Sequence, residues 1–266
     1  MTELQEVSFI WRAEEYHDLS IAQELAASQL LSHLKIKEDY HILDIGCGDG
    51  KISAKLSTMV NEGQVLAIDK SSEMIQFAVQ NFSKHSYPNL GFKVQSAEEI
   101  SFRNEFDIVF SSFSLQWIKN KKDFFQKARI ALKKEGALAL IVPLRVSPEL
   151  EEAVDAVLAL PEWYGYFEGF HPGWYFSDSE SIKRDVGECF SRISRFHTTV
   201  QEVFFPSREA LEKYILLWFP YLRPLPIDLR NLFFQEVLDK YFSLLPCLAS
   251  GSAALRIPTL DLIAHK

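Results

Sequence analysis

Two periods of hydrophobic residues alternate along the first half of the chain. Short apolar runs at 40–46 (YHILDIG), 63–69 (GQVLAID), 90–96 (LGFKVQS), 106–112 (FDIVFSS) and 136–143 (GALALIVP) predict strands. Pro143 cannot continue a ladder and closes the fifth. Between them, helical spacing at 20–34 (Ile21, Leu25, Leu30, Leu34), 50–60, 71–85 and 122–133 predicts helices, with Ser71 or Ser72 as N-cap of the third. Strands and helices in this alternation build βαβ units with right-handed crossovers, hence a mainly parallel, doubly wound sheet. HILDI and FDIVF are near-continuous apolar runs, as strands covered on both faces require.

After Pro143 the pattern changes. A short helix is predicted at 148–160, then PEWYGYFEGFHPGWYF (161–176) places eight aromatics in sixteen positions without a clear period. Further helices are predicted at 179–190, 207–222 (Ser207 as N-cap) and 228–245, and strands at 194–205 and 252–266. The division that follows is 1–143 as N-terminal helices and ligand-binding core, 144–193 as a cap insertion, and 194–266 as two last strands with inserted cap helices.

Composition narrows the class. With 266 residues, 47% apolar and 24% charged, the chain is that of a folded globular protein large enough to do without disulfides. Its 36 acidic against 28 basic residues argue against a nucleic-acid partner, which needs a basic face. No run of 18 apolar residues predicts a membrane span, and MTELQEVSFIWRAEE lacks the apolar core of a leader. Cys47, Cys189 and Cys247 lie far apart without metal-ligand spacing, so no metal is expected and a reduced, cytoplasmic setting is.

The chemistry concentrates in LDIGCGDG (43–50), which follows the first strand and opens a helix. In an open α/β sheet, ligands sit beyond the carboxyl ends of strands, and glycines there let backbone amides approach them. Two ligand classes fit, dinucleotides and S-adenosylmethionine. A dinucleotide fingerprint wants a third glycine where the chain has Lys51. Asp69, ending the second strand, can accept both hydroxyls of a ribose from either class.

LDIGCGDG, LAIDKS, QSAEE and FDIVFSSFSLQWI, in this order, resemble the four motifs of class I S-adenosylmethionine-dependent methyltransferases over about residues 35–143. The resemblance implies a seven-stranded Rossmann-like methyltransferase sheet, an α/β fold with a helical, aromatic-rich cap after strand five and between the last two strands. It implies S-adenosyl-L-methionine as cofactor. Asp44 and the amides of Gly46, Cys47 and Gly48 would take its methionine end, and Asp69 the ribose. Lys70 and Met74 would flank the adenine, Ala97 and Glu98 would read its edge, and Ser111 would offer a carbonyl. Ser96 departs from the pattern, standing where many relatives carry Asp.

The match narrows at SLQWIKNKKDFF (114–125), which is similar to the trans-aconitate methyltransferases and more loosely to the O-methyltransferases of malonyl carrier proteins. WFPYLRPLP and GSAALRIPTLDLIAHK look like counterparts in the former, and WRAEEYHDLSIAQELAASQLL resembles the opening of both. A small carboxylic acid is the implied acceptor, and a malonyl group on an acyl carrier protein the alternative. A non-catalytic cofactor-binding regulator and a nicotinamide dehydrogenase stand behind them. Carboxylates are deprotonated at neutral pH and need cations rather than a base. Arg223 leads the candidates, with Arg145 and Arg256 behind. His171 is a candidate base for a hydroxyl acceptor, Tyr16 could fold over the cofactor, and Gln116 and Trp117 would stand at the site's mouth. Carrier docking would use Lys119, Lys121 and Lys122 with Lys183, Arg184, Arg192 and Arg195.

Overall fold

The computed structural model describes residues 13–266; MTELQEVSFIWR, part of the segment read above as lacking a leader's core, lies outside the described residues. Seven strands form one sheet: β1 (His41–Ile45), β2 (Gln64–Asp69), β3 (Leu90–Val94), β4 (Phe106–Ser112), β5 (Leu132–Pro143), β6 (Arg192–Phe205) and β7 (Ala253–His265). Their order is β3-β2-β1-β4-β5-β7-β6. β1 to β5 pair in parallel, whereas β7 runs antiparallel to both β5 and β6. Strand order therefore reverses between β1 and β4, and a crevice opens there at the carboxyl ends.

Helices cover both faces. On one, α2 (Ile21–Leu31), α3 (Lys51–Met59) and α4 (Ser72–Asn81) pack on Ile42, Ala67, Phe110 and Ile141. On the other, α5 (Lys121–Ala131) and α8 (Ser179–Cys189) pack on Leu43, Val109, Leu138 and Leu262. α8 thus belongs to the sheet's own covering layer and not to the cap. Local chemistry sets the helix starts. Ser71 Oγ accepts from Met74 N (3.2 Å), Asn120 Oδ1 from Asp123 N (3.1 Å) and Asp178 Oδ1 from Ser181 N (2.8 Å).

A second core holds the cap. α6 (Pro148–Leu158), α7 (Pro161–Tyr164), α9 (Arg208–Leu216) and α10 (Ile227–Leu244) pack with one end of β6 and β7 around Phe233. Phe233 is fully buried among Trp163, Phe167 and Phe219, and Trp163 Nε1 donates to Glu236 (2.6 Å). Much of the aromatic segment therefore packs the cap. α1 (Ala13–Leu19) precedes α2. No described helix is long and apolar enough to cross a membrane.

The boundaries differ from the sequence expectation where the backbone turns. The helix expected over 122–133 stops at Ala131, because Leu132 is already extended and pairs with Phe106. The helix expected over 207–222 ends at Leu216: Pro220 keeps Phe219 out of the helical region (φ −77°, ψ 104°), and a 3₁₀ turn, Pro220–Leu222, follows.

Phe233→Ala is expected to lower unfolding free energy by roughly 3–5 kcal/mol, as for other large buried aromatic truncations. Urea denaturation followed by fluorescence would measure the shift.

Candidate active site

The glycine loop joins β1 to α3 at the crevice. Gly46, Gly48 and Gly50 have φ of +72°, +54° and +84°, a region open to glycine but costly for other residues. At Gly46 a Cβ would lie 2.4 Å from Ser114 Cβ, so the loop fits against the end of β4 only without one. The Gly46 and Cys47 amides donate to Ile68 O (2.8 and 3.0 Å), and Gly48 N donates to Asp69 Oδ2 (3.0 Å). Asp69 Oδ1 accepts from Ser71 N at 2.9 Å, so one carboxylate ties the loop to the start of α4.

Asp44 lies beneath the loop, 2% exposed, accepting from Ser53 Oγ at 2.6 Å. Burial pushes its carboxyl up to about 7, with Asp69 and Asp49 nearby adding to the shift and the Ser53 bond opposing it. Burial also raises Asp69, against the Ser71 and Gly48 amide bonds and Lys70, and raises the Cys47 thiol. Three acidic side chains, Asp44, Asp49 and Asp69, thus gather at one loop.

α1 lies over the loop. His17 Nδ1 is 2.8 Å from Asp49 Oδ2, and Lys51 Nζ donates to His17 O at 2.6 Å. Tyr16 comes within 3.7 Å of where a Gly48 Cβ would stand. The cavity left between loop and helices, lined by Tyr16, Ser20, Gln23 and Ser112 among others, measures about 30 Å³.

The fourth strand ends in a strained turn: Phe113 is left-handed at φ 52°. Ser111 Oγ and Ser114 Oγ both donate to Ile45 O (2.8 and 3.2 Å), so Ser111's hydroxyl pins β1. Gln116 donates through Nε2 to Phe113 O (2.7 Å), and its main-chain carbonyl accepts from Tyr175 N (2.7 Å). Buried Lys121 donates to Ile118 O and Tyr175 O, and desolvation lowers its ammonium's pKa. Trp117 packs edge-on against Trp174 at 6.2 Å and lies under Lys70 Nζ at 5.9 Å. These contacts fasten the cap's aromatic loop to the turn after β4.

The other sequence-predicted residues fall as follows. Met74 is buried in α4. Ser96 caps a 3₁₀ turn (Ala97–Glu99), with Ala97 half-buried and Glu98 exposed. Arg223 is half-buried beside Gly173, and desolvation lowers its pKa. Arg145 is paired with Glu151, and Arg256 with Glu149 and Glu202. His171 is exposed, stacked on Tyr175, its Nδ1 accepting from Gly173 N (3.0 Å). The sequence reading missed Asp49, Ser53, Gln23, Tyr214 and Trp218. Only Asp49 carried a signal, lying inside the loop motif.

The chain is similar to known methyltransferases along much of its length. A family profile described as a methyltransferase domain matches residues 36–160. "Putative methyltransferase 235L" of Invertebrate iridescent virus 6 is 31% identical over 236 residues, 88% of this chain and 86% of that one. Trans-aconitate 2-methyltransferase of Rhodopseudomonas palustris (strain BisB18) is 22% identical, over 96% of this chain and 99% of its own. A malonyl-[acyl-carrier protein] O-methyltransferase of Acetivibrio thermocellus is 26% identical, over 78% and 75%. Among solved structures, YcgJ of Bacillus subtilis has a TM-score of 0.64 at 13% identity, covering 91% of this chain and 98% of that one.

A buried carboxyl raised above its unfolded value favours folding while protonated, and that contribution is lost as pH climbs through about 7. Wild-type stability should therefore fall by roughly 2–3 kcal/mol from pH 5 to pH 8 on account of Asp44, at about 1.4 kcal/mol per unit. In Asp44→Asn, which cannot ionise, this part of the decline is expected to vanish from urea midpoints measured across that range.

Proposed function

Since the chain belongs to the class I S-adenosylmethionine-dependent methyltransferases, we propose that it methylates a carboxylate oxygen of a small organic acid of the trans-aconitate type. The observation carrying this reading is the lengthwise similarity to the trans-aconitate enzyme, over 96% of this chain and 99% of that one. It extends through the cap, where acceptor selectivity resides, and is not confined to the cofactor motifs.

The residues at the loop fit S-adenosylmethionine. Gly48 has a left-handed backbone and faces the cavity, so a side chain there would stand in the ligand's way. The carboxylates of Asp44, Asp49 and Asp69 suit a ligand bearing a sulfonium and an ammonium group. The Gly48 amide, released from Asp69, would hold the methionine end, with Asp44 bracing the loop from below, whereas the Gly46 and Cys47 amides expected beside it are spent on Ile68 O. Asp69 would take the ribose hydroxyls, exchanging its bond to Gly48. Lys70, Met74, Ser96, Ala97 and Glu98 would surround the adenine, and the Ser111 and Gln116 region would close the methionine side. A 30 Å³ cavity is far below a nucleoside's size, so α1 with Tyr16 would swing aside on binding and close again to exclude water.

When bound, the cofactor supplies a methyl group activated by its sulfonium. The protein's own tasks are then alignment and dryness. A carboxylate oxygen has no proton to lose near neutral pH, so no general base is required, and His171 is left outside the reaction. The cap helices at 148–164 and 208–244 would enclose the acceptor. Arg223 would take a carboxylate remote from the reacting oxygen.

Acyl-carrier docking would need a solvated basic patch. Among the side chains expected to form it, Lys121 is buried, Lys122 is paired with Glu188 (2.5 Å) and Arg195 with Asp261 (3.0 Å). Those pairings favour the free acid. All three cysteines are unpaired, in keeping with a cytoplasmic setting.

Incubation with S-adenosylmethionine and trans-aconitate, followed by mass spectrometry, is expected to yield a monomethyl ester that alkali cleaves. A product methylated on nitrogen or on an alcohol, or no ester from any acid in a panel of small polycarboxylates, would contradict the reading.

A further inference from the structure

Gln23 of α2 stands between the glycine loop and the cap. It is 9% exposed and lines the cavity of about 30 Å³ together with Tyr16, Gly48, Asp49 and Ser112. Its Nε2 donates to Tyr214 Oη of α9 at 3.0 Å. Tyr214 is 2% exposed, its ring 5.1 Å from Phe205 and the Trp218 indole N–H directed at its hydroxyl. The amide end of Gln23 is thereby committed to the cap's core. Its carbonyl end is not: Oε1 is buried and has no hydrogen-bond partner among the described residues. Ser112 Oγ, at the end of β4, is a second buried oxygen without such a partner, and Ser112 lines the same cavity.

Buried acceptors are rarely left unpaired, and two at one cavity mark the place of a ligand's donors. The carboxylates around them are already engaged by the protein. Asp44 accepts from Ser53 Oγ, Asp49 Oδ2 is 2.8 Å from His17 Nδ1, and Asp69 accepts from the Gly48 and Ser71 amides. They supply a negative field, while Gln23 Oε1 and Ser112 Oγ supply open acceptors. A compact cation with several N–H donors, such as an ammonium, satisfies both conditions. The methionine end of S-adenosylmethionine carries that group.

Resting on the placement of S-adenosylmethionine at this loop, we propose that Gln23 takes the cofactor's ammonium on Oε1, with Ser112 Oγ beside it, and that the same side chain passes cofactor occupancy through Nε2 and Tyr214 to α9 of the cap. An amide whose carbonyl is held by a cation loses rotational freedom, and its N–H is then fixed toward Tyr214. Polarisation along the amide also strengthens that N–H as a donor. Coupling between two sites is reciprocal, so an ordered α9 tightens the hold on the cofactor in turn. The cap is thus firmest around the acceptor when the methyl donor is in place. Gln23 is a binding residue toward the cofactor and a positioning residue toward the cap.

S-adenosylhomocysteine, which carries the same ammonium, serves as the probe, with binding followed by calorimetry and the cap by amide hydrogen exchange. Gln23→Met keeps the side chain's length and removes both polar ends. Its Kd is expected to rise about tenfold or more, the worth of a hydrogen bond to a charged group. In wild type, saturating ligand is expected to slow exchange of the α9 amides by about fivefold or more. That slowing should vanish in saturated Gln23→Met, while the loop at 46–50 stays protected. Two further variants separate the ends of the relay. Tyr214→Phe should lose the α9 response yet weaken binding less than Gln23→Met does. Ser112→Ala should weaken binding by about threefold or more and keep the response. A merely structural defect at position 23 would instead speed α9 exchange in the free protein and leave the ligand's effect on α9 in place. If Gln23→Met binds the probe within about twofold of wild type, or keeps the α9 response, the relay is overturned and the placement of the cofactor stands. If wild type binds no probe, the placement itself falls.

Discussion

The hydrogen bond from Gly48 N–H to Asp69 is the joint on which the site depends. It links the loop after β1 to the end of β2, while the other oxygen of the same carboxylate caps the approach to α4. The loop can come that close because Gly46 has no Cβ to strike Ser114 and Gly48 accepts a left-handed backbone. From the other side, Ser111 and Ser114 hold Ile45 O, so β1, β2 and β4 converge on one backbone curve. The cost is a group of carboxylates held partly out of water, which a cationic ligand would relieve.

The cap is joined to this curve at a few points. The Gln116 main-chain carbonyl, Lys121 and the Trp117–Trp174 contact fix the aromatic loop over the turn after β4. Behind them, Phe233 and its neighbours give the cap helices a core of their own. The cap is therefore rigid inside and fastened locally, which suits an enclosure that must hold one acceptor shape. α1 is fastened differently, through His17–Asp49 and Lys51, polar contacts that solvent can replace.

Much of this was legible in the sequence, because local rules governed it. The five parallel strands followed from apolar runs flanked by glycine, and Ser71 and Ser207 stood as caps as expected. Asp69 was legible as the acidic end of the second strand. The antiparallel β7 was not, since strand direction depends on where the chain goes after α10. The break at Pro220 had a local signal that the amphipathic run before it concealed. Ser111 was legible as a position but not in its role, because a hydroxyl's partner is decided by the neighbouring strand. Gln23 and Tyr214 are 191 residues apart, and no spacing rule reaches across that distance. The aromatic segment advertised itself by composition, yet its rings divide between packing the cap and meeting Trp117.

Asp69, the carboxylate that shapes the loop, would also be the group that receives the cofactor's ribose. Calorimetric titration of S-adenosylhomocysteine into wild type and Asp69→Ala, with the thermal midpoint of each recorded, tests it most directly. Saturable binding to wild type is expected, with at least about tenfold weaker binding to a variant that still unfolds cooperatively. Equal affinity in the two proteins would contradict it.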